Sequence, residues 1–477
     1  MRRLIALAAT AAAVGTSARR VARFRPPQDQ PVALDLTGLD AEGAANRLAE
    51  LIRIPTVSSR VPGASDAAVF ERYRERLTEL YPRTHAVLER EVLGDGALLY
   101  RWRGSTDEPP LVLMAHYDVV PVEGQGWTRD PFSGLVEDGY VHGRGAIDDK
   151  GSMVAILEAV EALVAAGVTP RRDVYLSFGN DEEVLGVGAQ LAVATLTERG
   201  IRPWAVLDEG GAVVTGMFPG VPGRVAVVGL AEKGVLDVEL VTSDAGGHAS
   251  APTRGGAPAR LARAILRIEE HPFPARLHDV VLGMVDAVGR YADAPYRALF
   301  AHAGRLRPAL AQVLSRAGRE ANALVRTTVA VTRLEGSPAA NVLATRALAH
   351  LNIRIALGET VQTTVDRLRR VIGDPAVEVR VVSGSDPSPV SRADNDAFAL
   401  LSAAARAAYP DAAVAPYLMV QASDARHFSQ ICDSVYRFMP FDLSRDELAA
   451  LHAADERISV ATLHRGAGFF RHLIAHL

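Results

Sequence analysis

Along most of this chain, short unbroken apolar runs alternate with stretches whose apolar residues recur every three or four positions. The run Leu111-Val112-Leu113-Met114-Ala115 has the length of a strand, and its lack of alternation marks one buried on both faces. Met153, Ile156, Leu157, Val160, Leu163 and Val164 fall three or four apart and predict a helix over 152–166. Further buried strands are predicted over 174–178 and 205–207. This alternation predicts an α/β fold built on a mostly parallel sheet with helices on both faces.

The pattern changes after Gly229. Val235, Val238 and Leu240 predict a half-buried strand over 234–242, followed by the glycine-rich turn Gly246-Gly247-His248. A helix beginning near Ala257, strands over 327–334 and 347–355, a helix over 360–371 and a strand over 377–382 complete the order βαββαβ, a ferredoxin-like module. Residues 275–322 read as helical material inserted into it. A helix over 394–409 and further βα structure end the chain. The predicted organisation is a larger α/β unit formed by 32–230 and 384–477, interrupted by a smaller unit over 231–383.

Composition narrows the function. The 477 residues are 48% hydrophobic and 23% charged, enough for two or three domains with well-filled cores. Lys+Arg 52 against Asp+Glu 56 gives a net charge of −4, which argues against a nucleic-acid partner. The single cysteine, Cys432, excludes an intrachain disulfide and a cysteine-based zinc site. Arg2 and Arg3 precede an uncharged stretch over 4–18, shorter than the about 20 residues of a membrane span. That stretch reads as a signal peptide or a membrane anchor, with small residues at Thr16-Ser17-Ala18, and predicts export to the periplasm, the medium or the membrane surface. Arg19, Arg20, Arg23 and Arg25 follow at once, an uncommon continuation of a signal sequence, and Pro26, Pro27 and Pro31 form a stiff linker to the folded part.

Functional polar groups of parallel α/β folds sit where strands end. Here those places hold His116-Tyr117-Asp118, the loop Gly143-Arg144-Gly145-Ala146-Ile147-Asp148-Asp149-Lys150-Gly151, Asn180-Asp181-Glu182-Glu183 and Asp208-Glu209-Gly210. Alone, Glu182-Glu183 reads equally as a helix cap, and the glycine loop as an anion cradle. The loop lacks the Gly-Lys-Ser/Thr ending of a nucleotide site, however, and its paired aspartates would repel phosphate. Together these acids would repel one another unless cations were bound. Imidazole and carboxylate ligands without thiolates suit zinc first, then manganese or cobalt.

These motifs resemble the zinc-dependent exopeptidases and amidohydrolases that include carboxypeptidase S, aminoacylase and succinyl-diaminopimelate desuccinylase. The segments Leu324-Val325-Arg326-Thr327-Thr328 and Ser337-Pro338-Ala339-Ala340-Asn341-Val342-Leu343 look most like the branch of carboxypeptidase S and N-fatty-acyl-amino-acid hydrolases. The resemblance implies two zinc ions held by His116, Asp148, Glu183, His452 and either Asp208 or Glu209, with Asp148 bridging and Asp208 slightly favoured for its place at a strand end. It makes 32–230 and 384–477 the catalytic unit and 231–383 a lid or dimerisation unit, Asp118 the group that orients His116, Glu182 the general base, and His248 of the lid a donor to the oxyanion. Asn341 and Arg354 match substrate contacts, an arginine fork being the natural partner of a carboxylate. The implied reaction is hydrolysis of an amide next to a free carboxylate, at a peptide C-terminus or in an N-acyl amino acid. Aminoacylase or dipeptidase specificity, or N-acyl amino acid synthesis by reversal, would use the same centre. A noncatalytic binding module would have lost a ligand or Glu182, and none is missing. The state implied is monomer or homodimer.

Overall fold

The computed structural model describes residues 19–27, 32–61, 63–252 and 254–477; the stretch 4–18 and much of the proline linker lie outside them. The larger unit is built on a ten-stranded sheet. Its centre is parallel: Leu111–His116 pairs with Val174–Gly179 on one side and Ala205–Asp208 on the other, and Val435–Arg437 continues beside Ala205–Asp208. Antiparallel strands flank it at Ala97–Trp102 and Glu89–Leu93. The unbroken apolar runs are the reason. All six residues of both Leu111–His116 and Val174–Gly179 are buried, because helices cover both faces of the sheet.

The central helix, Lys150–Ala165, starts two residues before its expected position and is buried around almost its whole circumference. It packs between Ala41–Ile52 and the C-terminal helix Val460–Ala475. Its buried Glu158 is not left unpaired: Arg47 holds both carboxylate oxygens at 2.5 and 2.6 Å, and the Tyr81 hydroxyl donates to one at 2.9 Å.

The smaller unit has the expected βαββαβ order. Its strands Thr328–Glu335, Arg346–Ile355, Gly234–Ser243 and Val377–Ser385 lie side by side in that order, all antiparallel. Helices Ala257–Glu270 and Val361–Ile372 cover one face, burying Leu261, Ile268, Val365 and Leu368 against Leu236, Leu351 and Ile353. Thr360 caps the second helix through a reciprocal bond with Thr363. The strand entering this unit from the larger sheet, Arg224–Glu232, runs two residues past the expected boundary at 230.

The helical insert sits elsewhere than its place in sequence suggests. Its helices include Asp279–Gly289, Ala294–Phe300 and Arg307–Leu314. Val281, Met284, Val285, Val288 and Leu310 join the core of the catalytic unit, not that of the lid. Asp279–Gly289 lies against the strand Ala413–Met419, which pairs in parallel with Arg224–Glu232. The insert therefore covers a flank of the larger sheet that would otherwise expose apolar side chains, and belongs physically to the 32–230 and 384–477 unit.

That placement has a direct test. The three tryptophans, Trp102, Trp127 and Trp204, all lie in the catalytic unit, so their fluorescence reports its unfolding. Met284→Ala is expected to lower the stability read this way by about 2–5 kcal/mol. An unchanged tryptophan transition would return the insert to the lid.

Candidate metal centre

The site is assembled at the carboxyl ends of the parallel strands. His116 ends Leu111–His116, Glu182 and Glu183 form a single turn after Val174–Gly179, and Asp208 and Glu209 follow Val206-Leu207. Asp148 precedes Lys150–Ala165, and His452 arrives from the segment after helix Arg445–Ala450.

The geometry centres on Asp148. Its Oδ1 lies 3.0 Å from His116 Nε2, and its Oδ2 lies 3.0 Å from His452 Nε2. Glu209 Oε1 approaches His116 Nε2 at 3.7 Å, and Glu183 Oε2 approaches His452 Nε2 at 3.2 Å. One carboxylate thus stands between two imidazole–carboxylate pairs. One ligand atom each from His116, Asp148 and Glu183 lie within 4.8 Å of one another, as do those of His116, Asp149 and Glu209.

The hydrogen bonds show which atoms are left to face a ligand. His116 Nδ1 is 3.0 Å from the carbonyl of Asp118. A carbonyl only accepts, so Nδ1 carries a proton, and Nε2 is the nitrogen that faces Asp148 and Glu209 and is free to ligate once a cation displaces its own proton. Asp118, fully buried, does more than orient this ring. Its Oδ1 sits 3.3 Å from His116 Nδ1 and accepts from Glu182 N, while its Oδ2 accepts from Glu183 N, each at 3.2 Å. A second tether is Glu456, the last residue of His452-Ala453-Ala454-Asp455-Glu456, to which the sequence assigns no role. Buried completely, it accepts from Gly145 N, Ile147 N and Asp148 N at 2.8–3.1 Å and from Arg144 Nη1 at 2.7 Å. It fixes the whole glycine loop that carries Asp148. Its only sequence signal was its place four residues after His452. His452 itself adopts φ 58, a left-handed conformation uncommon outside glycine, and Gln125 Nε2 donates to its carbonyl at 3.1 Å.

The electrostatics match a cation site. Burial pushes the Glu209 carboxyl up to about 8, reinforced by the charge of Asp148. Burial likewise raises Glu182 far above its ordinary range, and raises Glu183, with Asp148 adding to the latter. His452 is pushed up to about 10 by Asp148 and Glu183 facing its Nε2. Burial would lower His116, but Asp118, Asp148 and Glu209 raise it well above the usual value. The same two rings outweigh the effect of burial on Asp148 and hold it below the usual carboxylate range. Among the described residues, the buried atoms Glu183 Oε1 and Asp149 Oδ1 have no hydrogen-bond partner. Imidazole nitrogens facing carboxylates, crowded acids and unpartnered buried oxygens are the arrangement that divalent cations would neutralise.

Asp208 and Glu209 are separated by this geometry, and the leaning toward Asp208 is corrected. Asp208 Oδ2 accepts from Ala425 N at 2.8 Å, which commits that carboxylate to a backbone partner on another segment. Glu209, one residue on, is the acid that faces His116. Asp424 is another buried carboxyl missed from sequence, raised to about 8 by burial and then by Asp208.

The lid residues are not brought to the cluster. His248 is exposed on a two-residue strand paired with Val342–Leu343, and its Nδ1 is bound to the Ser250 hydroxyl at 2.7 Å. Asn341 is exposed beside it, and its carbonyl accepts from Ala249 N at 3.0 Å. Arg354 is half-buried on Arg346–Ile355 and forms no ion pair with a described residue. Burial lowers its pKa, with Asp237 opposing and Arg426 adding to the effect.

Residues 112–476 match the profile of Peptidase family M20/M25/M40. The chain is 35% identical over 441 residues to the probable carboxypeptidase S-like 2 of Dictyostelium discoideum, covering 90% of this chain and 84% of that one. It is 32% identical over 430 residues to the N-fatty-acyl-amino acid synthase/hydrolase PM20D1 of Homo sapiens, covering 89% and 85%. Among solved structures, an M20 family metallo-carboxypeptidase, Sso-CP2 from Sulfolobus solfataricus, superposes with a TM-score of 0.68 at 18% identity, covering 91% of this chain and 98% of that one. At that identity the likeness speaks to the fold.

Metal stoichiometry separates the two acids. Glu209→Gln is expected to bind less metal than the parent by elemental analysis, while Asp208→Asn binds as much. The reverse result would restore Asp208 as the ligand.

Proposed function

The chain belongs to peptidase family M20/M25/M40, whose enzymes are metal-dependent, and from that premise we propose that it is a di-zinc hydrolase of amide bonds adjacent to a free carboxylate. The substrate class is a peptide C-terminus or an N-acyl amino acid, as in the names of the relatives above. The observation that carries this reading is the double pairing about Asp148, with Glu182 buried beside it and engaged by neither histidine.

In this reading His116, Glu209 and Asp148 would hold one ion, and His452, Glu183 and Asp148 the other. A bound zinc pair supplies Lewis acidity, polarising a carbonyl and lowering the pKa of water toward about 7. The rest falls to the chain. Glu182 takes a proton from the attacking water and returns it to the leaving nitrogen. Its backbone N–H, fixed by Asp118, sets where that carboxylate stands. Exclusion of water around the cluster strengthens each of these interactions. Arg354 and Asn341 recognise the substrate, Arg354 its free carboxylate. His248 donates to the developing oxyanion, by closure of the lid over its own site in a monomer or by reaching a second copy's site in a homodimer. The uncharged stretch over 4–18 makes this an exported enzyme, released or anchored.

Chelation is expected to abolish hydrolysis of both C-terminal peptides and fatty-acyl amino acids, and added zinc to restore it. Glu182→Gln should bind zinc like the parent and turn over about 10² times more slowly or worse. Full activity in metal-free protein would end the proposal, and an active Glu182→Gln would remove Glu182 as the base.

A further inference from the structure

The arginine run after the uncharged stretch has no part in hydrolysis, yet the structure gives it a defined seat. Residues 19–23 form one helical turn, and Phe24 behind them is buried. The Arg290 guanidinium stacks over the Phe24 ring at 5.0 Å, and Arg20 Nε donates to the carbonyl of Ala301. Both partners belong to the helical insert. Where the two segments meet, a groove of about 450 Å³ is lined by Arg19, Arg20, Arg23, Arg290 and Arg305, with Phe24 at its base.

The charge of this groove is unbalanced. Its one acid, Asp286, is already held by Arg290 at 2.9 Å. Arg19, Arg23 and Arg305 are exposed and form no ion pair with a described residue. Like charges gathered this closely repel one another, and an anion seated among them relieves that repulsion. The same insert exposes large apolar side chains: Tyr296 is 42% exposed, Leu299 46%, Leu306 40% and Val313 59%. Arginine interspersed with exposed aromatic and aliphatic side chains is the composition of a surface that lies in a headgroup layer. In sequence, the uncharged residues 4–18 lead directly into Arg19.

We propose that this arginine groove, with the exposed apolar side chains of the insert, docks on an anionic membrane surface. The guanidinium groups bind lipid phosphates, and the folded enzyme is held against the bilayer by its own surface as well as by the leading segment. The basic run that is uncommon after a signal sequence thereby acquires a role.

Flotation of the full chain with vesicles tests this. Partition is expected to be much stronger onto phosphatidylcholine containing phosphatidylglycerol than onto phosphatidylcholine alone, and to fall with added salt. Each arginine near the surface contributes about fivefold. The triple variant Arg19→Gln, Arg23→Gln, Arg305→Gln leaves the Arg20–Ala301 and Arg290–Phe24 contacts in place. It should lose about a hundredfold on anionic vesicles, nothing on neutral ones, and no activity toward a soluble substrate. The same three positions changed to lysine should keep the binding. Equal partition onto both vesicle types, or an unaffected triple variant, would assign all membrane contact to the leading segment and overturn the proposal. Loss of binding in the lysine variant, or displacement by inorganic phosphate at matched ionic strength, would also overturn it, the latter by revealing a site for a soluble anion.

Discussion

Carboxylates packed together out of water cannot all stay ionised unless something multiply positive lies between them. Two unit charges about 4 Å apart repel by about 4 kcal/mol at an effective dielectric constant of 20. Asp148, Glu183 and Glu209 meet within a few ångströms of two imidazoles, and Glu182, Asp149, Asp208 and Asp424 are buried nearby. Two singly charged rings cannot balance that set. The fold accepts this local cost because parallel strands deliver their carboxyl ends to one edge and the helices behind them prevent retreat.

Holding the cluster is the work of two further carboxylates that face away from it. Asp118 ties His116 to the Glu182-Glu183 turn, so that His116, Glu182 and Glu183 keep a fixed relation. Glu456 gathers three backbone N–H groups and Arg144, which closes the loop of Asp148 onto the segment that delivers His452. Residues far apart in sequence are therefore coupled by buried, charge-assisted bonds, which are stronger than neutral ones. The lid has no such link to the cluster among the described residues. His248 lies outside it.

Much of this was legible in the chain. Buried parallel strands announce themselves as unbroken apolar runs, and 111–115, 174–178 and 205–207 all became strands within a residue of their expected ends. The lid order was equally plain, because its strands and helices differ in period. What sequence could not show was contact. The insert interrupts the lid in sequence, yet its apolar faces fill the larger core, a matter of which surface it meets. The neighbours Asp208 and Glu209 present the same chemistry, and only folded contacts distinguish them, the backbone bond from Ala425 to Asp208 and the approach of Glu209 to His116. Asp424 carries no local pattern that separates it from solvated acids, and Glu456 has only its place four residues after His452. Their burial arises from chain crossings hundreds of residues apart.

The claim on which this account turns is that two cations share Asp148. Anomalous diffraction at the zinc edge from crystals of the zinc-loaded enzyme measures it directly. The account predicts two peaks flanking that carboxylate, one facing His116 and Glu209 and the other facing His452 and Glu183. A single peak, or peaks away from Asp148, would contradict it.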